Sequence, residues 1–123
     1  MHEASLARNL LRQVAALLRD AEGEAVETVF VEIGPLAGVE PALLASAFDE
    51  QVGNTTVAGA RLVIDEAPLE AECGCCGAQV EIRDFSFHCS VCGSVDLRVT
   101  RGDAVMLKSV DVRFAEASAG ETV

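Results

Sequence analysis

The sequence predicts an α+β fold: a small three-stranded mixed sheet with two helices, interrupted by an inserted module built around four cysteines. Three observations lead there. Apolar residues near the start recur at three- and four-residue steps, β-branched runs bounded by turn residues follow, and two C-x-x-C pairs stand close together past the middle.

Leu6, Leu10, Val14 and Leu17, with Ala7, Leu11 and Leu18, predict an amphipathic first helix that leaves Arg8, Arg12 and Arg19 wetter. Gly23 is expected to end it. Val26 to Ile33 is rich in β-branched residues and closes on Gly34-Pro35, which reads as a strand and a turn. Pro41 suits the first turn of a second helix with Leu44, Ala47 and Phe48 on one face and Gly53 beyond its end. Arg61 to Asp65 alternates as a second strand. A helix separates the two strands, so parallel pairing through a right-handed crossover is expected. Val105 to Phe114 supplies the third strand, its apolar face carrying Met106, Val110, Val112 and Phe114 with Lys108 among them. That strand cannot satisfy its backbone alone and must return to the first two. The expected domains are 1–69 with 103–114, an inserted module at 70–102, and a flexible tail at 115–123.

Cys73-Gly74-Cys75-Cys76 and Cys89-Ser90-Val91-Cys92 flank twelve residues, and each pair is followed by glycine, Gly77 and Gly93. This is the spacing of a zinc ribbon. A C-x-x-C loop turns two sulfurs toward one ion, and a glycine that tolerates positive φ frees the amides beyond it to hydrogen-bond the thiolates. The two glycines make Cys73 and Cys76 the equivalents of Cys89 and Cys92, with Cys75 left over. A disulfide framework would need an oxidising compartment, and the N-terminus has no secretion-signal pattern. A redox pair needs only one C-x-x-C; iron would also accept four thiolates. Structural zinc is the expected resident metal.

Charge and composition narrow the function. The chain has 123 residues, half of them hydrophobic, a formal charge of −11, a single lysine (Lys108), five Phe and neither Trp nor Tyr. Long-range repulsion of phosphate and the lack of stacking platforms argue against nucleic acid, and no apolar run is long enough to span a bilayer. A cytoplasmic protein is expected. Zinc closed by four thiolates leaves no open position for water, no hydroxyl has a neighbouring histidine base in the sequence pattern, and no glycine-rich phosphate loop exists. The chain is therefore not expected to be an enzyme.

His2 changes the reading. Its imidazole follows the α-amino group of Met1, which is expected to survive processing because the second residue is bulky. Reference pKa values of about 8 and about 6.5 let amine and imidazole lose protons near neutrality and act as nitrogen donors. Nickel and copper favour such donors. Glu3 offers an oxygen, an amide nitrogen, or a favourable charge at a helix start.

Together with Met1-His2-Glu3, the amphipathic first helix, the segment Val31-Glu32-Ile33-Gly34-Pro35-Leu36-Ala37-Gly38-Val39-Glu40 leading to Phe48, and the four-cysteine module resemble the HypA/HybF hydrogenase-maturation nickel chaperones. The resemblance runs from Met1 to about Phe114. It implies a nickel-binding α/β domain carrying a zinc domain, with His2 the indispensable ligand of transient Ni(II) and Glu3 its neighbour in nickel binding or docking. It also implies Cys73, Cys76, Cys89 and Cys92 as zinc ligands. The implied partners are the GTPase HypB and the large subunit of [NiFe] hydrogenase, with urease maturation proteins for some members; a homodimer is left open. A competing reading is a zinc-ribbon module for nucleic acid or protein, supported by Arg83, Arg98 and Arg101 but opposed by six nearby carboxylates. A zinc hydrolase would need one cysteine replaced by water.

Overall fold

The computed structural model describes residues 2–115. Of the tail expected at 115–123, all but Ala115 lies outside the described residues. The element order is α1 (His2–Ala21), β1 (Ala25–Ile33), α2 (Pro41–Val52), β2 (Arg61–Glu66), β3 (Leu69–Cys73), β4 (Gln79–Ile82), β5 (Leu97–Arg101) and β6 (Val105–Arg113). They form two three-stranded sheets, ordered β2-β1-β6 and β4-β3-β5.

The first sheet is mixed, as its sequence predicts. Glu24, just before β1, donates to Arg113 O at the end of β6 (2.8 Å), and Gly34, just after β1, donates to Ala104 O before β6 (3.1 Å). Those two strands run antiparallel. Ala67, just past β2, donates to Ile33 O at the end of β1 (2.9 Å), placing the C-terminal ends of β1 and β2 side by side. That is the parallel arrangement a helical crossover requires.

Two compact units emerge: one comprises the chain up to Val31, Val39–Ile64 and the chain from Leu107; the other comprises Glu32–Gly38 and Asp65–Met106. In the first, α1 buries Ala7, Leu10, Leu11, Val14 and Leu18, positions that drift slowly around a 3.6-residue helix. Leu17, expected in the apolar stripe, is instead 46% exposed because it falls beyond the edge of that arc. Val26, Val29 and Val31 of β1 and Leu44, Ala47 and Phe48 of α2 complete the core, together with Val57 and Ala60 of the following loop.

The end of α1 differs in detail from expectation. Glu22 takes the left-handed conformation (φ 57°) while the Gly23 amide reaches back to Leu18 O (3.1 Å). Gly23 is required for space instead: a Cβ there would overlap the side chains of Val112 and Leu18. The third strand is also less regular than predicted. Met106 and Phe114 are exposed, whereas Val105, Leu107, Val110 and Val112 are half-buried, so the covered face changes between Leu107 and Val110. β6 is an edge strand, and an edge is packed less completely than the centre.

The second unit holds a sheet the sequence did not reveal as such. β3 pairs antiparallel with β4, placing Leu69 opposite Ile82 and Ala71 opposite Val80; on its other side β3 pairs antiparallel with β5, placing Cys73 opposite Leu97. Leu69, Ala71, Cys73, Val80, Ile82 and Cys89 form its core. At the turn after β1, Gly34 lies so near Gly102 that any Cβ would overlap the Gly102 backbone. Leu36 donates to Gly102 O across the same approach (2.8 Å). Glycine is needed here for proximity, not for a turn conformation.

Phe48 and Leu44 are both fully buried against the first unit's core. Phe48→Ala is expected to lower unfolding stability by about 3–5 kcal/mol, read as a lower urea midpoint with an unchanged slope.

Candidate metal centre

The short strand β3 alternates strictly in burial, covering Leu69, Ala71 and Cys73 while Glu70 and Glu72 face out. Cys73 is thereby delivered, sulfur inward, at the strand's end. The chain then turns back over Cys73. The amides of Cys75 and Cys76 point at Cys73 Sγ (3.4 and 3.5 Å), and the Gly77 amide donates to Cys73 O (2.9 Å) with Gly77 at φ 75°. Around Cys89 the same figure recurs. Val91 and Cys92 amides point at Cys89 Sγ (3.3 and 3.4 Å), and Gly93, at φ 80°, donates to Cys89 O (2.8 Å). The glycine signal in the sequence is thus borne out locally, with the glycine amide itself bonding a carbonyl.

Between the two loops the sulfurs converge. Sγ of Cys73 and Cys92 lie 3.6 Å apart, Cys76 and Cys89 likewise, and all four lie within 4.8 Å of one another. A zinc ion with four thiolates at about 2.3 Å requires sulfurs about 3.8 Å apart at the corners of a tetrahedron. The donor set and its spacing fit structural zinc. Cys75, exposed, lends its amide to the first loop, and its thiol is not a member of the cluster.

Electrostatics explain why this cluster wants a cation. The Cys92 amide, with that of Val91, holds the Cys89 thiol down at about 6 against the cost of its burial. Cys73 is lowered by the Cys76 and Cys75 amides. Their partners move the other way. The Ser94 amide favours a Cys92 thiolate, but contacts with the other sulfurs and burial outweigh it and push Cys92 up to about 12. Cys76 is raised despite the Ala78 amide, through burial and its contact with Cys89. Without a dication, the cluster therefore holds protons on Cys76 and Cys92. Binding of zinc to these four sulfurs would release those protons.

The N-terminal residues stand as follows. His2 is exposed at the first residue of α1. Glu3 is buried, 7% exposed, and its carboxylate accepts from the Glu40 amide (3.2 Å) at the N-cap of α2. The positive chain terminus, then this amide, draw the Glu3 carboxyl down to about 2. Glu40 has no side-chain cap of its own. Glu3 therefore brings negative charge to the start of α2, where exposed helix amides favour it. Gln51, the penultimate residue of α2, donates its side-chain amide to the Ala4 carbonyl (2.9 Å). Neither Glu40 nor Gln51 is legible as a partner in the sequence, because a separation of 37 residues between Glu3 and Glu40 leaves no local pattern to find.

The arginines that favoured nucleic acid are occupied. Arg83 pairs with Glu81 (3.2 Å), Arg98 with Glu72, and Arg101 with Glu32 (2.9 Å), the last raised in pKa by that carboxylate.

The sequence model of the family described as hydrogenase/urease nickel incorporation, metallochaperone, hypA matches residues 1–112. The chain belongs to the HypA family. Among relatives, the hydrogenase maturation factor HypA of Geobacter sulfurreducens is 35% identical over 112 residues, covering 91% of this chain and 99% of its own. That of Azotobacter chroococcum is 38% identical with the same coverages. The solution structure of the nickel metallochaperone HypA from Helicobacter pylori superimposes with a TM-score of 0.75 at 25% identity, covering 94% of this chain and all of that one. No support arises for the nucleic-acid reading. Among the described residues no helix of this HypA-family chain is long and apolar enough to cross a membrane.

Cys92→Ser is expected to lose zinc and unravel the module, since structural zinc contributes on the order of 10 kcal/mol or more to such folds, while Cys75→Ser keeps one zinc per chain. Metal analysis of both variants checks this. Zinc binding near pH 7 should release protons from at least Cys76 and Cys92, and below about pH 6 the Cys89 proton must be displaced as well, so affinity falls with acid. Calorimetry in buffers of different ionisation enthalpy measures the number released.

Proposed function

We propose that the chain binds Ni(II) as cargo at its N-terminus and delivers it for maturation of [NiFe] hydrogenase. The observation that carries this is the family match over residues 1–112, which includes the Met1-His2-Glu3 opening as well as the cysteine cluster. The metal-binding roles divide between a nickel-binding domain, 1–69 with 103–114, and a zinc-binding domain, 70–102, held by Cys73, Cys76, Cys89 and Cys92.

His2 is the nickel ligand in this reading, with the terminal amine and intervening amide as further nitrogen donors. Its exposure at the helix start supports the role, because an incoming protein can reach a terminal ion and replace its ligands one at a time. Glu3 contributes by position. With its carboxylate directed to the Glu40 amide, it anchors the first turn of α1 from which His2 projects. The recipient is the hydrogenase large subunit, with the GTPase HypB as working partner and urease maturation as a second destination. A homodimer would present two termini. The setting is the cytoplasm, where thiolates stay reduced, and the chain acts as a carrier rather than as a catalyst.

His2→Ala is expected to abolish stoichiometric nickel binding at micromolar metal while leaving zinc content and circular dichroism unchanged. A short N-terminal extension should weaken nickel binding in the same way by blocking the amine. Nickel titration of the native-terminus chain checks both, and undiminished affinity in His2→Ala overturns the assignment.

A further inference from the structure

A groove of about 450 Å³ runs between α1 and the C-terminal end of α2. We propose that it is a docking site for an acidic amphipathic helix of a partner protein. Its floor is formed by buried Leu11 and half-buried Ala15, and its far wall by Gln51 and Thr55. Arg8 and Arg12 stand exposed on the rim, four residues apart and therefore on one face of α1.

Charge selects the occupant. Among the described residues neither arginine has a carboxylate within ion-pair distance, whereas Arg83, Arg98, Arg101 and Arg113 each do. The chain as a whole carries −11, so two unpaired guanidinia beside an apolar floor stand against the prevailing sign. Glu50 on the opposite wall offsets only one of them. Of the acidic residues on α1, Glu3 is buried and turned to Glu40, and Asp20 lies two turns beyond Arg12. An acidic partner is repelled by most of this surface and attracted here, which fixes its orientation as well as its site.

The spacing selects the shape. Carboxylates four apart on a partner helix meet guanidinia four apart on α1, each able to take a two-point hydrogen bond, while the partner's apolar seam enters the groove. Arg8 follows His2 by six residues, about 9 Å along the helix axis. A docked partner would thus stand beside the proposed nickel terminus; that consequence rests on the nickel reading, and docking itself does not.

The test uses the full zinc-loaded chain without nickel, so its outcome is separate from that of the nickel titration. The probe is a synthetic helical peptide with a leucine seam flanked by glutamates four apart; its counterpart has lysines in their place. The glutamate peptide should bind saturably, shift the amide resonances of Leu11, Ala15 and Thr55, and weaken with salt. The double variant Arg8→Glu, Arg12→Glu should lower its affinity about tenfold or more and gain affinity for the lysine peptide. Absence of saturable binding, equal binding of both peptides, shifts confined to other elements, or indifference to charge reversal would each overturn the proposal. So would sedimentation showing that a second copy of the chain occupies the groove.

Discussion

Four sulfurs held within 4.8 Å of one another are the constraint on which the second unit depends. Thiolates at that separation repel, and thiols there leave donors and acceptors poorly matched in a partly dry site. The cluster settles the conflict by splitting. Cys73 and Cys89, which each accept two backbone amides, move toward the thiolate, while Cys76 and Cys92, with one each, are raised and retain their protons. A dication held by these sulfurs would remove the conflict and tie β3 to the loop after β4, across a segment whose hydrophobic core comprises only six buried residues. Such a core is too small to hold its chain unaided, so metal and apolar burial act together.

The start of the chain is organised by the opposite means. No metal-binding cluster fixes it among the described residues; Glu3 reaches the Glu40 amide and Gln51 reaches the Ala4 carbonyl, pinning the first turn of α1 to both ends of α2. His2 is left outside this clasp. A rigid base under an exposed imidazole suits the proposed nickel role, because the surroundings of a terminal side chain stay open to exchange. The zinc site, with two of its four cysteines 1–2% exposed, is built for retention.

Several glycines show how one residue type carries different information. Gly77 and Gly93 were legible from sequence because positive φ after C-x-x-C is a local requirement. Gly23 and Gly34 look like punctuation in the sequence, yet each is set by a distant neighbour: Val112 for one and the Gly102 backbone for the other. Leu17 failed similarly. Its hydrophobicity fits the helical period, but whether an edge position is covered depends on what packs there.

The sequence by itself determined the elements of the first sheet, the order of the two helices and the pairing of the cysteine loops. Those depend on short-range periodicity and on residues with singular backbone preferences. Only the tertiary structure decided that β3, β4 and β5 form a second sheet, that Arg83, Arg98 and Arg101 are neutralised by carboxylates, and that Glu3 is spent on Glu40 rather than facing solvent. Strands of four and five residues carry too few alternations to declare themselves, and a charge reveals its partner only when the chain has brought it within reach.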